Sequence, residues 1–217
     1  MALALFDLDD TLIVGNCETN WFEYLIEQGH YDGSTFADDI AEFDRQYESG
    51  AGDINDYMYF VLKPLVHHPL ATLEVWRQDW FEKSGKAMIA RGARAKLEEH
   101  REASDTLVII SASNRFCVEP FANEFGVDHF MCSIPEIVDD RYTGVFLPPA
   151  CFGAGKLTHL DRWLETSGHS MENSFFYSDS RNDIPLLERA DNPIAVNADG
   201  YLTRYAQERN WPHLNLR

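Results

Sequence analysis

The chain has 217 residues, 45% hydrophobic and 25% charged, with 18 lysines and arginines against 36 aspartates and glutamates, a net charge of −18. That length holds one domain with an insertion or two small ones, its core needs no disulfide or metal to stand, and its longest apolar runs fall far short of a membrane span. The charge excludes nucleic acid and anionic membranes as partners, because no cluster of lysine or arginine relieves it. Cys17, Cys117, Cys132 and Cys151 are scattered without zinc spacing and read as reduced, buried thiols. An opening that meets acidic residues at once, with no basic leader, predicts a cytoplasmic protein.

Leu3 to Phe6 is a continuous apolar run, the mark of a strand buried on both faces. From Glu18 to about Lys86 the pattern turns helical and aromatic. Trp21, Phe22, Tyr24 and Leu25, then Tyr57, Phe60, Val61 and Leu62, recur at helical spacings. This stretch parts the first strand from its next partner by far more chain than a crossover helix needs. It predicts a helical cap over residues 15–86, inserted into a core made of residues 1–14 and 87–217. A second strand is expected at Thr106 to Ile110, and Arg141 to Pro149 reads as a short hairpin or loop at an edge. Lys156 to Glu165 is an amphipathic helix, with Leu157, Leu160, Trp163 and Leu164 on one face and Gly168 near its end. Strands follow at Ser174 to Tyr177 and Ile194 to Val196. Strands alternating with helices predict an α/β fold, a Rossmann-like parallel sheet core with an inserted, mainly helical cap.

Chemistry gathers where strands end. Asp7, Asp9 and Asp10 stand directly beyond the first strand, where open α/β sheets bind their ligands. Clustered carboxylates repel unless a cation compensates, and an all-oxygen set suits Mg²⁺. Ser111 to Asn114, after the second strand, offer hydroxyls and amides to a phosphate. Lys156 opens its helix, so its ammonium and the helix N-terminus can both face an anion. Asp179 and Asp183 follow another strand. Gly155-Lys156 looks like part of a Walker loop, but Ala150 stands where the first glycine belongs and Leu157 replaces the hydroxyl residue.

These residues, in order and over nearly the whole length, resemble the phosphatases of the haloacid dehalogenase superfamily: Asp7-x-Asp9-x-Thr11, Ser111, Lys156 and Asp179-x-x-x-Asp183. The helical insertion resembles the cap of the branch that contains phosphoserine phosphatase and enzymes assigned to histidinol phosphate. The resemblance implies that Asp7 attacks phosphorus and forms an aspartyl-phosphate, and that Asp9 protonates the leaving oxygen and then activates water. It implies Mg²⁺ on the Asp7 and Asp179 carboxylates and the Asp9 carbonyl, Ser111 and Lys156 on the phosphate, and Asp183 orienting the ligands or Lys156. The expected partner is a small phosphorylated metabolite, and the oligomeric state stays open. A phosphomutase, or a binding module that uses Asp7 as a phosphoacceptor, shares the same acids.

The cap's charge speaks to the leaving group. From Glu18 to Asp56 there are eleven acids and one base, Arg45. Acids that face the site would favour an ammonium or imidazolium. Glu18 is placed to touch such a cation, and Arg45 is the candidate for a carboxylate like that of phosphoserine. Histidinol phosphate, cationic and without a carboxylate, suits an acidic, aromatic cap better. Ala112, Ser113, Ser178 and Ser180 stand where phosphoserine phosphatase has glycines, which bears on the substrate and not on the reaction.

Overall fold

The structure, a computed structural model, describes residues 2–34, 36–49, 54–127 and 129–217. Strand β1 (Leu3–Phe6) is followed by helices α1 (Cys17–Glu27), α2 (Phe36–Ser49), α3 (Ile54–Val66) and α4 (Leu70–Lys83), then α5 (Ala93–Glu102) and β2 (Thr106–Asn114). Next come α6 (Arg115–Phe125), β3 (His129–Val138), β4 (Arg141–Leu147), α7 (Ala154–Ser167) and β5 (Phe175–Ser178). The chain closes with α8 (Ile184–Leu187), β6 (Asn192–Val196), α9 (Gly200–Glu208) and β7 (His213–Leu214). Among the described residues the strands form one seven-stranded sheet in the order β4-β3-β2-β1-β5-β6-β7. Every neighbouring pair is parallel except β3 with β4. No helix among them is long and apolar enough to cross a membrane.

β1 sits at the centre, paired with β2 and β5, and all four of its residues are buried. Leu3 and Leu5 join Val108, Ile110, Leu160 and Leu186 on one face, while Ala4 and Phe6 join Ile109, Leu97 and Phe121 on the other. Burying a side chain of that size contributes about 1.5 to 3 kcal/mol, so the continuous apolar run follows from having helices on both faces. Helix ends are set locally. Asn16 caps α1 by accepting from the N–H groups of Glu18 and Thr19, and the left-handed Gly126 and Gly168 end α6 and α7.

Helices α1 to α4 lie between two adjacent parallel strands, as the aromatic pattern predicts. Trp21 meets Trp80 of α4 edge-on at 5.6 Å and Phe116 of α6 at 5.0 Å, which fixes the insertion to the core. Phe22 stacks on Phe36 at 4.8 Å and on Phe60 at 5.1 Å, a small core internal to the insertion. Two elements depart from expectation. β2 runs on to Asn114, so the serines after Ile110 belong to strand and not to loop. β3 has no counterpart in the predicted elements because Pro135 argues against a strand; it is accommodated beside a register shift between Pro135 and Ile137, where β3 pairs with the edge strand β4. The β3–β4 hairpin leans on the insertion, with Leu70 N–H donating to the Asp140 carbonyl at 3.1 Å and Tyr59 against Phe146 at 5.6 Å.

Candidate active site

Asp7 stands one residue beyond β1, and its N–H donates to the Tyr177 carbonyl at 2.9 Å, which continues the ladder with β5 and brings the carboxylate to the sheet's carboxyl edge. Lys156, in the first turn of α7, reaches the same edge. Its ammonium donates to Asp7 Oδ1 at 2.6 Å and to Asp183 Oδ2 at 2.7 Å, and Asp183 Oδ2 also accepts from Ser178 Oγ at 2.7 Å. Gly155 makes this approach possible, because a Cβ there would lie 1.9 Å from the Ala150 carbonyl oxygen. Burial works to lower the Lys156 ammonium, but the Asp183 and Asp7 carboxylates outweigh it and hold the lysine charged. Burial pushes the Asp7 carboxyl up to about 7, against the pull of Lys156 and with Asp183 and Asp9 adding to the push.

Asp9 is held on both oxygens. Oδ1 accepts from the Cys17 N–H at 2.7 Å, and Oδ2 accepts from Ser113 Oγ at 2.7 Å and Ser111 Oγ at 3.3 Å. Burial raises its pKa and these hydrogen bonds oppose the rise. Thr11 locks the end of β5 to that of β1, donating to Asp179 Oδ1 at 3.2 Å and accepting from the Asp179 N–H at 3.1 Å. Burial, then the charges of Asp7 and Asp10, push Asp179 well up.

These groups form one wall of a cavity of about 350 Å³ lined by Asp7, Asp9, Asp10, Ser113, Lys156, Asp179 and Asp183. The insertion supplies the facing wall with Glu18, Thr19, Ile40, Phe43, Tyr57 and Met58. Glu18 is 1% exposed; Oε1 accepts from the N–H and side-chain amide of Asn114 at 2.8 and 2.5 Å, while Oε2 is buried and makes no well-formed hydrogen bond. Burial pushes its carboxyl up to about 7, with the charge of Asp9 adding to the push, and hydrogen bonds from Asn114 and Tyr57 pull it down. Asp7, Asp9, Lys156, Asp179, Asp183 and Glu18 are therefore brought together. Ser111 is fully buried behind the wall, and Ser113, two residues on, faces the cavity in its place. Arg45 is not brought to the site. It lies on an exposed face of α2, paired with Glu42 at 2.6 Å, because a partner one helical turn away is nearer than any ligand. Of the acids counted from Glu18 to Asp56, Asp53 and the side chains of Asp44 and Glu48 lie outside the described residues. Among the others Glu18 is the buried one, and Glu23, Glu27, Asp32, Asp38, Glu42 and Asp56 face solvent.

The carboxylates outnumber the one ammonium among the described lining residues, and a bound cation is what such a set fits. Among the described residues no three His, Cys, Asp or Glu side chains make a cage by themselves. Two carboxylates completed by a main-chain carbonyl, water and substrate oxygens match the habit of Mg²⁺.

Comparisons with known proteins place the chain by family and fold. A histidinol-phosphatase of Neisseria meningitidis serogroup C is 33% identical over 99% of both chains. A solved protein of unknown function from Bordetella pertussis Tohama I superposes with a TM-score of 0.92 at 31% identity, covering 100% of this chain and 99% of that one. A phospho-aspartyl intermediate analogue of phosphoserine phosphatase shares the fold, with a TM-score of 0.71 at 16% identity over 100% of this chain and 93% of its own. The sequence model of haloacid dehalogenase-like hydrolases matches residues 4–188, and the chain belongs to that family, as a phosphatase.

Proposed function

We propose that the protein is a Mg²⁺-dependent phosphomonoesterase for a small metabolite whose leaving group carries a positive charge and no carboxylate, with histidinol phosphate as the best fit. The observation that carries the leaving group is the buried carboxylate of Glu18, whose Oε2 makes no well-formed hydrogen bond although Tyr57 bears on the same carboxylate, on a cavity wall that holds no arginine or lysine among its described residues. A buried carboxylate oxygen without a well-formed hydrogen bond is costly unless a ligand satisfies it, and an ammonium or imidazolium N–H does so. Phe43 and Tyr57, edge to face at 5.5 Å, give that wall an aromatic surface suited to a flat ring. The name of the Neisseria relative supports the same substrate.

Asp7 attacks phosphorus, and the bond from phosphorus to the ester oxygen breaks as the aspartyl-phosphate forms. Asp9 donates its proton to the departing oxygen, so an alcohol leaves. Asp9 then takes a proton from water, whose oxygen attacks phosphorus, frees phosphate and restores Asp7. Lys156 and Ser113 bind the phosphoryl oxygens, and Asp183 keeps Lys156 in place. Asp7, Asp179 and the Asp9 carbonyl would hold Mg²⁺, which would supply charge neutralisation. Residues 15–86 serve as a cap that excludes water and reads the leaving group.

Phosphate release is the test, measured on histidinol phosphate, phosphoethanolamine, phosphoserine, glycerol phosphate and sugar phosphates with Mg²⁺ or with EDTA. The expected result is metal-dependent release, highest on cationic substrates and lower on phosphoserine. Release led by phosphoserine or neutral esters would overturn the substrate, and no release from any would overturn the hydrolysis.

A further inference from the structure

The turn after β6 lies behind the cavity and lines none of it, yet it touches both acidic loops. Asn197 has a left-handed backbone, with φ of +48°. Its amide sits between two main-chain groups of opposite kind, Nδ2 donating to the Asp10 carbonyl at 2.7 Å and Oδ1 accepting from the Leu216 N–H at 3.1 Å. A carbonyl can only accept and an N–H only donate, so these partners fix the amide's orientation and require a short side chain with both functions. Two residues on, the Asp199 N–H donates to the Asp179 carbonyl at 2.9 Å and Asp199 Oδ2 accepts from the Arg181 N–H at 3.0 Å.

Asp10 itself needs holding. Its φ is +53°, a conformation that disfavours a side chain, and it immediately follows Asp9. Its N–H donates to the Gly15 carbonyl at 3.1 Å, and its Oδ1 accepts from the Gly15 N–H at 3.1 Å and from Arg217 at 2.6 Å. Asn197 closes the remaining side by occupying the Asp10 carbonyl, and it ties that carbonyl to Leu216, whose own carbonyl accepts from the Gly92 N–H at 2.9 Å. The Asp9–Asp10 backbone is thereby referenced to β6 and to α5, and not to its own turn alone.

We propose that Asn197 is a positioning residue for the reaction: by bridging Asp10 and Leu216 it fixes the backbone that aims the Asp9 carboxylate at the leaving oxygen. This rests on Asp9 being the proton donor, as proposed above. A displaced acid costs most where the leaving group needs its proton, and small misplacements of a catalytic group cost up to about 10²-fold. Asn197→Asp keeps the acceptor for Leu216 and sets an oxygen against the Asp10 carbonyl; Asn197→Gly keeps the left-handed backbone without strain and removes both bonds.

The experiment compares kcat on an alkyl phosphate and on 4-nitrophenyl phosphate, whose leaving group departs without protonation, alongside thermal melts. Both variants are expected to lose about tenfold on the alkyl ester and less than about threefold on the nitrophenyl ester. Equal losses on the two esters, or none, with wild type active, would overturn the positioning role alone. No release by wild type from either ester would overturn the phosphatase reading and this role with it. If Asn197→Asp fails to fold, the ratio of the two losses in Asn197→Gly decides.

Discussion

The two walls of the cavity are built on different principles. On the core wall every charged group is spoken for: Lys156 lies between Asp7 and Asp183, Asp9 is bound on both oxygens, and Asp179 is clamped by Thr11. On the insertion wall Ile40, Phe43, Tyr57 and Met58, with the uncharged Asn16, Thr19 and Gln46, surround a single carboxylate whose Oε2 makes no well-formed hydrogen bond. A fully satisfied polar network is rigid and admits one arrangement, whereas an apolar wall tolerates change and expresses preference. Under the proposed mechanism the difference makes bond breaking and substrate choice separable, the first assigned to strand ends and the second to α1 to α3.

The largest expected effect is on the core wall. Asp7→Asn should reduce phosphate release to background on every substrate, as measured by a burst or steady-state assay, because an amide cannot form the aspartyl-phosphate; retained turnover would move the chemistry elsewhere. Asp9→Asn should cost about 10² to 10⁴ in kcat on alkyl esters, the usual worth of a general acid, and distinctly less on 4-nitrophenyl phosphate. On the insertion wall, Glu18→Gln should lower kcat/KM on cationic substrates by about 10- to 100-fold, the worth of a charged hydrogen bond, and leave neutral esters within about twofold. An equal loss on neutral esters would erase the contrast between the walls.

The same residue carries a pH signature. Its carboxyl is raised from 4.5 to about 7 in the fold, so the folded state holds an extra proton between those values. The stability it contributes is complete below about 4.5 and is lost as pH rises through about 7, so melts of the unliganded protein should fall across that window in wild type and stay flatter in Glu18→Gln. KM for a cationic substrate should rise in the opposite direction, as pH drops below about 7. The smallest effect is at Arg45→Ala, where loss of an exposed pair with Glu42 should change stability by under about 1 kcal/mol and leave kcat on phosphoserine within twofold.

Much of the core wall was legible because its chemistry is local. Each acid or lysine sits within a few residues of an apolar run whose period and flanks announce a strand or helix, and parallel topology then collects the ends. Ser113 was not legible beside Ser111: the two share one parity along β2, and both hydroxyls reach Asp9 Oδ2. β3 was hidden by Pro135, whose fit depends on a bulge against a partner strand. Arg45 misled because spacing cannot say which way α2 presents a side chain, although Glu42 three residues earlier is a local partner visible in the sequence. Asn197 meets Asp10 across the length of the chain, and no local pattern encodes that contact.

Gly155 gives the lysine's neighbourhood a further meaning. The carbonyl of Ala150 occupies the space that any side chain at 155 would need, so in this backbone the lysine reaches Asp7 and Asp183 from a chain with glycine just before it. A side chain at 155 would therefore act at a distance, displacing the loop at Ala150 and with it the lysine that spans the nucleophile and Asp183.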